Sequence, residues 1–561
     1  MSAVDPGPLP WWRRALRPPG AVPVVAAVLF FWASLTPSLL PRPTLLQGAV
    51  GGAAAAIGWG LAVLLLAVTR WMLERPVDWV PGPRGRLLLL AVAVGGTLLM
   101  LWHQAGWQHE LRVLMGMPDV GPGHYVLVLL LAAVVLAVLV LAARGLQAVV
   151  RRVARRARRY VPPRVAAVVA VTLVLLLTVG ILDGVLLDRA RATLDTTFST
   201  INSETHADTD PPALPELSGG PGSLVGWDSL GRTGREFVRD ATTVEELEEF
   251  AGRPAQQPIR AYVGLDGGRS LAEQAELAVA ELERAGAFER AVILLVTPTG
   301  TGWLNENAIA PVEYLAHGDS AAVGMQYSYL PSALALLADQ DRARESGRQL
   351  FNAVYARVAE LPPSQQPRLL VNGESLGSFG GESAFSGIDD LRIRTDGALF
   401  VGPPFMNDLW GELTANRDEG SPQWLPVYQE GETVRFVARP SDLQRPDTPW
   451  GPTRVVYLQH ASDPISWWSP RLAFTRPDWL EEERGYDVLP QTRWFPFVTF
   501  LQVAADMAAS EAVPPGHGHR FGTDPAEAWA AILEPEGWTA QDTDRLRATL
   551  EAQDVDDVEE E

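Results

Sequence analysis

Ser375 stands between two glycines in Gly373-Glu374-Ser375-Leu376-Gly377. A serine in a G-x-S-x-G setting can act as a nucleophile when the turn carrying it is sharp enough to push its hydroxyl clear of the backbone. The flanks fit such a nucleophile elbow. Arg368-Leu369-Leu370-Val371-Asn372 reads as a short buried strand, and Ser378 to Asp390, rich in small residues, reads as a helix. Glycine is required on both sides because a side chain there would collide with the neighbouring strand or helix. The serine also falls at a helix N-terminus, where unpaired N–H groups favour a developing negative charge. A glycine-rich turn with a serine helix cap is the plainer alternative. In a chain with 50 glycines the pentapeptide alone does not decide between them.

A serine nucleophile needs a base and an acid, here expected in the chain order Ser, acid, His. The chain has eight histidines. His103, His109 and His124 fall in or beside apolar N-terminal segments, and His206 lies in a polar stretch. Val513-Pro514-Pro515-Gly516-His517-Gly518-His519-Arg520-Phe521 is the one histidine site downstream of both the serine and a plausible acid. Gly516 and Gly518 let this loop bring an imidazole to the serine. His519 is preferred as the base, with His517 as the alternative. Asp463, just past the strand-like run Arg454 to His460, is the preferred acid, placed to hold the histidine tautomer. Asp408, after Gly397 to Val401, is its rival, although an Asp ahead of a helix is more often a cap. His460 reads as a packing residue of the strand end. The oxyanion hole is expected from the Leu376 N–H together with Thr299 or Gly300, in the loop after the apolar run 290–297. No metal is expected: the chain has no cysteine, and no third ligand stands near the Gly-His loop. No cofactor is expected either.

These residues must be positioned by a soluble domain, and the sequence places it after a very different segment. Apolar stretches run at about 21–40, 45–69, 86–102, 125–143 and 165–187, each close to the ~20 residues that cross a bilayer. Arginines alternate between the connections. Arg13, Arg14 and Arg17 precede the first stretch, Arg70, Arg75, Arg84 and Arg86 surround the second connection, and eight arginines from Arg144 to Arg164 surround the fourth. The first and third connections carry only Arg42 and Arg112. By the positive-inside rule the N-terminus is cytoplasmic and the chain beyond the fifth stretch is extracytoplasmic.

Charge follows the same division. Residues 1–192 carry +12 while the whole chain carries −20, so the remainder carries −32. An acidic surface gives solubility, repels nucleic acid and attracts cationic substrates. Without cysteine the domain depends on its core rather than on disulfides. The expected organisation is a helical transmembrane domain over 1–193, a linker over 194–222, a catalytic domain over 223–540 and an acidic tail over 541–561 whose end is disordered. Strand-like runs near 259–265, 290–297, 367–372, 396–402 and 454–460 alternate with helical segments such as 270–286 and 332–360. That alternation predicts an α/β fold with a mostly parallel sheet.

The chain resembles a family of membrane-anchored bacterial α/β-hydrolases with an N-terminal multispan domain and an extracytoplasmic hydrolase domain. The resemblance is carried by Ser223 to Gly231, the loop 298–303, Gly373 to Glu382, Asp463-Pro464-Ile465 and Gly516 to His519. It implies an alpha/beta-hydrolase fold preceded by about five transmembrane helices. Membrane lipids and a small or lipid-linked ester are the expected partners, and the oligomeric state is left open. Tryptophans 410, 424, 450, 467, 468, 479 and 494 in two insertions read equally as an acyl pocket, an interfacial belt or ordinary packing. Three functions are compatible with these residues: a serine esterase, an envelope acyltransferase using the same triad, and an inactive membrane scaffold or transport-associated protein.

Overall fold

The described residues of the computed structural model are 20–73, 81–181, 198–199, 202–203, 210–265, 269–338 and 340–560. Arg13, Arg14, Arg17 and Arg75 lie outside them, as do residues 194–197, 200–201 and 204–209 of the expected linker. Seven strands form one parallel sheet: β1 Ile259–Val263, β2 Val292–Thr297, β3 Ser320–Met325, β4 Arg368–Glu374, β5 Gly397–Val401, β6 Val434–Val437 and β7 Arg454–Leu458. Their spatial order is β1-β3-β2-β4-β5-β7-β6, so β4 lies in the middle. Helices separate successive strands in sequence and cover the sheet, which is why the strands read as continuous apolar runs rather than alternating ones. β2 and β5 are buried at every position.

Two strands escape the sequence reading. β3 is Ser-Ala-Ala-Val-Gly-Met, with one β-branched residue, and only pairing with β1 and β2 makes it a strand. β6 has four residues and edges the sheet beside β7. The helix expected over 378–390 is two helices, Leu376–Glu382 and Ile388–Arg394. Residues 541–560, expected as an acidic tail, belong to the helix Ala540–Glu560. Its Leu546 and Leu550 pack with Leu247, Ala310, Tyr314 and Ala526, so the start of this charged stretch is a helix docked on the domain.

The chain divides into two compact units. The sheet belongs to the unit formed by 172–469, 481–488 and 510–561; the other comprises 1–171, 470–480 and 489–509. Residues 470–480 and 489–509, expected in the catalytic domain, therefore pack in the N-terminal unit. That unit contains α1 Ala21–Ser34, α2 Thr44–Leu73, α3 Pro83–Leu114, α4 Gly123–Ala157 and the first half of α5 Pro163–Ile181. α2 to α5 are long and apolar enough to cross a membrane; α1 is not. At 14 residues α1 extends roughly 21 Å, short of a hydrocarbon core of about 30 Å. Pro37, Pro41 and Pro43 follow its end, where the apolar composition had suggested a longer span. Gly58 lets α2 approach α1, since a β-carbon there would lie 2.6 Å from the Ala26 carbonyl oxygen. Gly60, two residues on, faces open space.

The late segment is held in this unit by a buried ion pair. The apolar helix Val498–Met507 packs on α1 and α2. Its Asp506 accepts from Arg42 Nε at 2.7 Å and from the Leu39 N–H at 3.1 Å. Arg42 also donates to Gln47 Oε1 at 2.7 Å, and Gln502 donates to the Thr36 carbonyl at 3.0 Å. Both charged side chains are almost fully buried, so removing one partner strands the other. Arg42→Leu and Asp506→Leu should each lower stability by about 3–5 kcal/mol, and the double variant should recover much of the loss. Denaturant titration of the detergent-solubilised protein checks this; single variants as stable as the parent would contradict it.

Candidate active site

Ser375 follows directly on β4 with φ 52° and ψ −122°, a left-handed conformation that a side-chain-bearing residue adopts only under constraint. The flanking glycines make it possible. A β-carbon on Gly373 would lie 2.3 Å from the Gly377 carbonyl oxygen, and one on Gly377 would lie 2.2 Å from the Thr297 carbonyl oxygen. The Ser375 N–H donates to the Val401 carbonyl at 2.8 Å, tying the turn to the end of β5. Ser378 Oγ donates to the Ser375 carbonyl at 2.7 Å.

Behind this turn lies a polar network that the sequence reading missed. Asn407 Nδ2 reaches Ser378 Oγ at 3.3 Å and Glu382 Oε2 at 2.9 Å. Glu382 also accepts from Tyr457 OH at 3.0 Å, from the Trp410 N–H at 3.0 Å and from the Leu409 N–H. One carboxylate thus binds the serine's helix to β7 and to the N-terminus of the helix Asp408–Ala415. Burial raises the Glu382 carboxyl to about 7, against these hydrogen bonds, which favour its charged form. A glutamate in a run of glycine, serine and phenylalanine was the available signal.

Asp463 and His519 meet. His519 Nδ1 donates to Asp463 Oδ2 at 2.7 Å, and both side chains are almost fully buried. Asp463 is fixed as the cap of the short helix Pro464–Trp467, accepting from the Ile465 N–H at 2.8 Å. His519 Nε2, buried, has no hydrogen-bond partner among the described residues. The ring lies against Gly402, where a β-carbon would come within 2.3 Å of Cε1. Gly402 follows Val401, the residue that accepts the Ser375 N–H. The imidazole and the serine therefore occupy neighbouring strand ends. Burial works against a charged His519 ring, but the Asp463 charge and hydrogen bond, with the charges of Glu374 and Glu511, outweigh it and raise its pKa above the ordinary value.

The loop carrying His519 is held from three sides. The Gly518 N–H donates to Ser462 Oγ at 2.8 Å, and Ser462 donates to the buried Asp487. His460 Nδ1 donates to the Gly518 carbonyl at 2.9 Å, and its ring stacks on Phe521 at 4.4 Å. The His519 N–H donates to the Ser510 carbonyl at 2.9 Å. His517, the alternative base, instead pairs with Asp487 at 3.4 Å. Asp408, the alternative acid, is not brought to the imidazole. Its side chain is 89% exposed, and it lies 3.3 Å from Arg344.

The Leu376 N–H opens the helix after the serine and has no intrahelical acceptor, as an oxyanion donor requires. Thr299 does not fit this role, because its N–H already closes its own turn onto the Trp303 carbonyl at 3.0 Å. The Gly300 N–H makes only a 3.4 Å contact with Ser332 Oγ. The tryptophans of the insertions mostly pack with satisfied indole N–H groups. Trp410 donates to Gln459 Oε1 at 2.7 Å and Trp467 to the His460 carbonyl at 3.0 Å. Trp450 donates to the Thr433 carbonyl at 3.1 Å. His317 lies in the turn entering β3, at the opposite ends of the strands from Ser375.

Residues 259–546 match the model of an alpha/beta-hydrolase family, and residues 35–241 match that of the same family's N-terminus. The chain belongs to this alpha/beta-hydrolase family. No curated protein and no solved structure matches it. The family assignment supports a hydrolase-type enzyme joined to a membrane domain, in line with the parallel sheet and the apolar helices.

A histidine acts as a base only when neutral. With the His519 pKa raised, kcat/KM for an ester should increase with pH through an inflection above about 6.5. Asp463→Asn removes the largest factor favouring the charged ring, so the inflection should move down and kcat should fall about ten-thousand-fold. The pH–rate profiles of the two proteins provide the check. An inflection at or below the ordinary histidine value in the parent would contradict the assignment.

Proposed function

We propose that the chain is a membrane-anchored serine hydrolase acting on carboxylic esters. The observation that carries this reading is the buried Asp463–His519 pair at 2.7 Å, beside a serine held at positive φ. His519, oriented by Asp463, takes the Ser375 proton. The alkoxide attacks the ester carbonyl, the alcohol leaves with the proton returned by His519, and water then releases the acid from the acyl-enzyme. The Leu376 N–H faces the charge that develops on the carbonyl oxygen.

The arginine pattern supports an extracytoplasmic position for the hydrolase domain. Arg151, Arg152, Arg155 and Arg156 fall in the last turns of α4, and Arg158, Arg159 and Arg164 surround the connection to α5. A cytoplasmic connection sends α5 and the chain beyond it outward whether or not α1 spans. Membrane anchoring favours lipid-linked or amphipathic esters. The −32 charge beyond residue 192 favours a cationic one, and an aminoacyl ester on a phospholipid headgroup meets both conditions.

A fluorophosphonate probe should label the wild-type protein and not Ser375→Ala; equal labelling of the two, or of neither, would remove the serine-hydrolase reading. Aminoacyl-phosphatidylglycerol in mixed micelles should release free amino acid with the wild type and not with Ser375→Ala. Cleavage of simple esters without such release would remove this substrate class. Product analysis with an added alcohol acceptor separates hydrolysis from acyl transfer.

A further inference from the structure

Next to the serine stands a carboxylate that the triad chemistry does not use. Glu374 is the last residue of β4 and is in register with Val401, which precedes the Gly402 packed on His519. Its Oε2 accepts from Asn305 Nδ2 at 2.5 Å. Asn305 is itself pinned as the cap of the helix Glu306–Leu315, accepting from the Asn307 N–H at 3.0 Å. Glu374 is only partly buried and forms no ion pair among the described residues. Glu511, exposed and likewise without an ion pair, acts electrostatically on both Glu374 and His519. With Asp463, three carboxylates act on one imidazole.

This arrangement is costly for a neutral substrate. Attack by Ser375 places negative charge on the carbonyl oxygen, and a carboxylate on the adjacent residue, held by a neutral amide rather than by an ion pair, opposes it. Asp463 takes the hydrogen bond of the imidazolium that forms on His519, whereas Glu374 feels that charge without pairing with it and is otherwise held by the neutral Asn305 amide. A substrate with its own positive charge near the carbonyl reverses the sign. An ammonium on the carbon next to an ester carbonyl lies within reach of a carboxylate adjacent in sequence to the nucleophile.

We propose that Glu374, held by Asn305, is the specificity-determining residue that receives a cationic group on the acyl side of the substrate, with Glu511 lining its approach. This inference rests on Ser375 being the nucleophile. It goes beyond that reading by assigning the selection for charge to one side chain rather than to the acidity of the domain as a whole.

The test uses full-length protein in micelles and two nearly isosteric esters, alanine benzyl ester and lactate benzyl ester, below the amine pKa. A neutral-acyl choline ester places the cation on the alcohol side instead. Active sites are counted by fluorophosphonate labelling. The wild type should prefer the alanine ester in kcat/KM. Glu374→Gln should lower the alanine-to-lactate ratio about tenfold or more, mainly through KM, as expected for loss of one charge-assisted contact. Glu511→Gln should lower it less. An unchanged ratio in Glu374→Gln overturns the proposal, as does a collapse confined to the choline ester. If Glu374→Gln does not fold, Glu374→Asp and Asn305→Ala shift the charge rather than remove it, and an unchanged ratio in both has the same force. Failure of the underlying reading is separately visible, because lactate ester cleavage would then survive in Ser375→Ala.

Discussion

The hydrogen bond from His519 Nδ1 to Asp463 joins residues 56 apart in the chain, and the architecture of the site follows from the need to close that distance. Nothing local brings the two together. Asp463 is held by capping a four-residue helix and His519 by a loop with Gly516 and Gly518 at positive φ. Ser462, His460 and Asp487 then take up the polar groups that the loop would otherwise bury unpaired. A buried carboxylate is tolerable only with its hydrogen bonds satisfied, and Asp463 meets that condition through the Ile465 N–H and the His519 ring. The supporting shell matters as much as the pair, since an imidazole displaced by about 1 Å loses much of its effect.

The serine is placed by a different constraint, steric rather than electrostatic. Its positive φ lifts the side chain off the end of the central strand, and the close approach of Gly377 to Thr297 leaves no room for the turn to relax. Glu382 holds the next layer. A carboxylate with four hydrogen bonds locks the serine's helix against β7 and the helix Asp408–Ala415, at the desolvation cost that raises its pKa. Strain at the nucleophile is thus opposed by polar bonds formed behind it.

Those two constraints were legible to very different degrees. The elbow glycines, Asp463 and the Gly-His loop could be read from the sequence because each leaves a local signature: a turn motif, an acid after a strand, an imidazole between glycines. The local motif does not distinguish His519 from His517; packing does, by setting His519 against Asp463 and His517 against Asp487. Thr299 was misread because the sequence shows a glycine-rich loop but not where its N–H groups go. β3 was missed because its alanines and glycines have no strand preference until β1 and β2 flank them. Glu382, Asn407 and Asp487 were invisible as supports, since their roles depend on contacts between residues far apart in the chain.

The segment between acid and base makes a conventional division into anchor and enzyme unworkable. The hydrolase-family match runs unbroken through 259–546, yet 470–480 and 489–509 within it pack in the N-terminal unit. Asp506 is buried there against Arg42, and the helix around it presents an apolar face to α1 and α2. A hydrolase domain cut free after α5 would carry that helix without its partners, with a carboxylate that lost its counter-charge and apolar surface that lost its cover. Both penalties would fall on the stretch of chain joining Asp463 to His519. The helix around Asp506 thus has its counter-charge and its apolar cover only where the N-terminal unit is present, which a membrane tether of equal length and hydropathy would not supply.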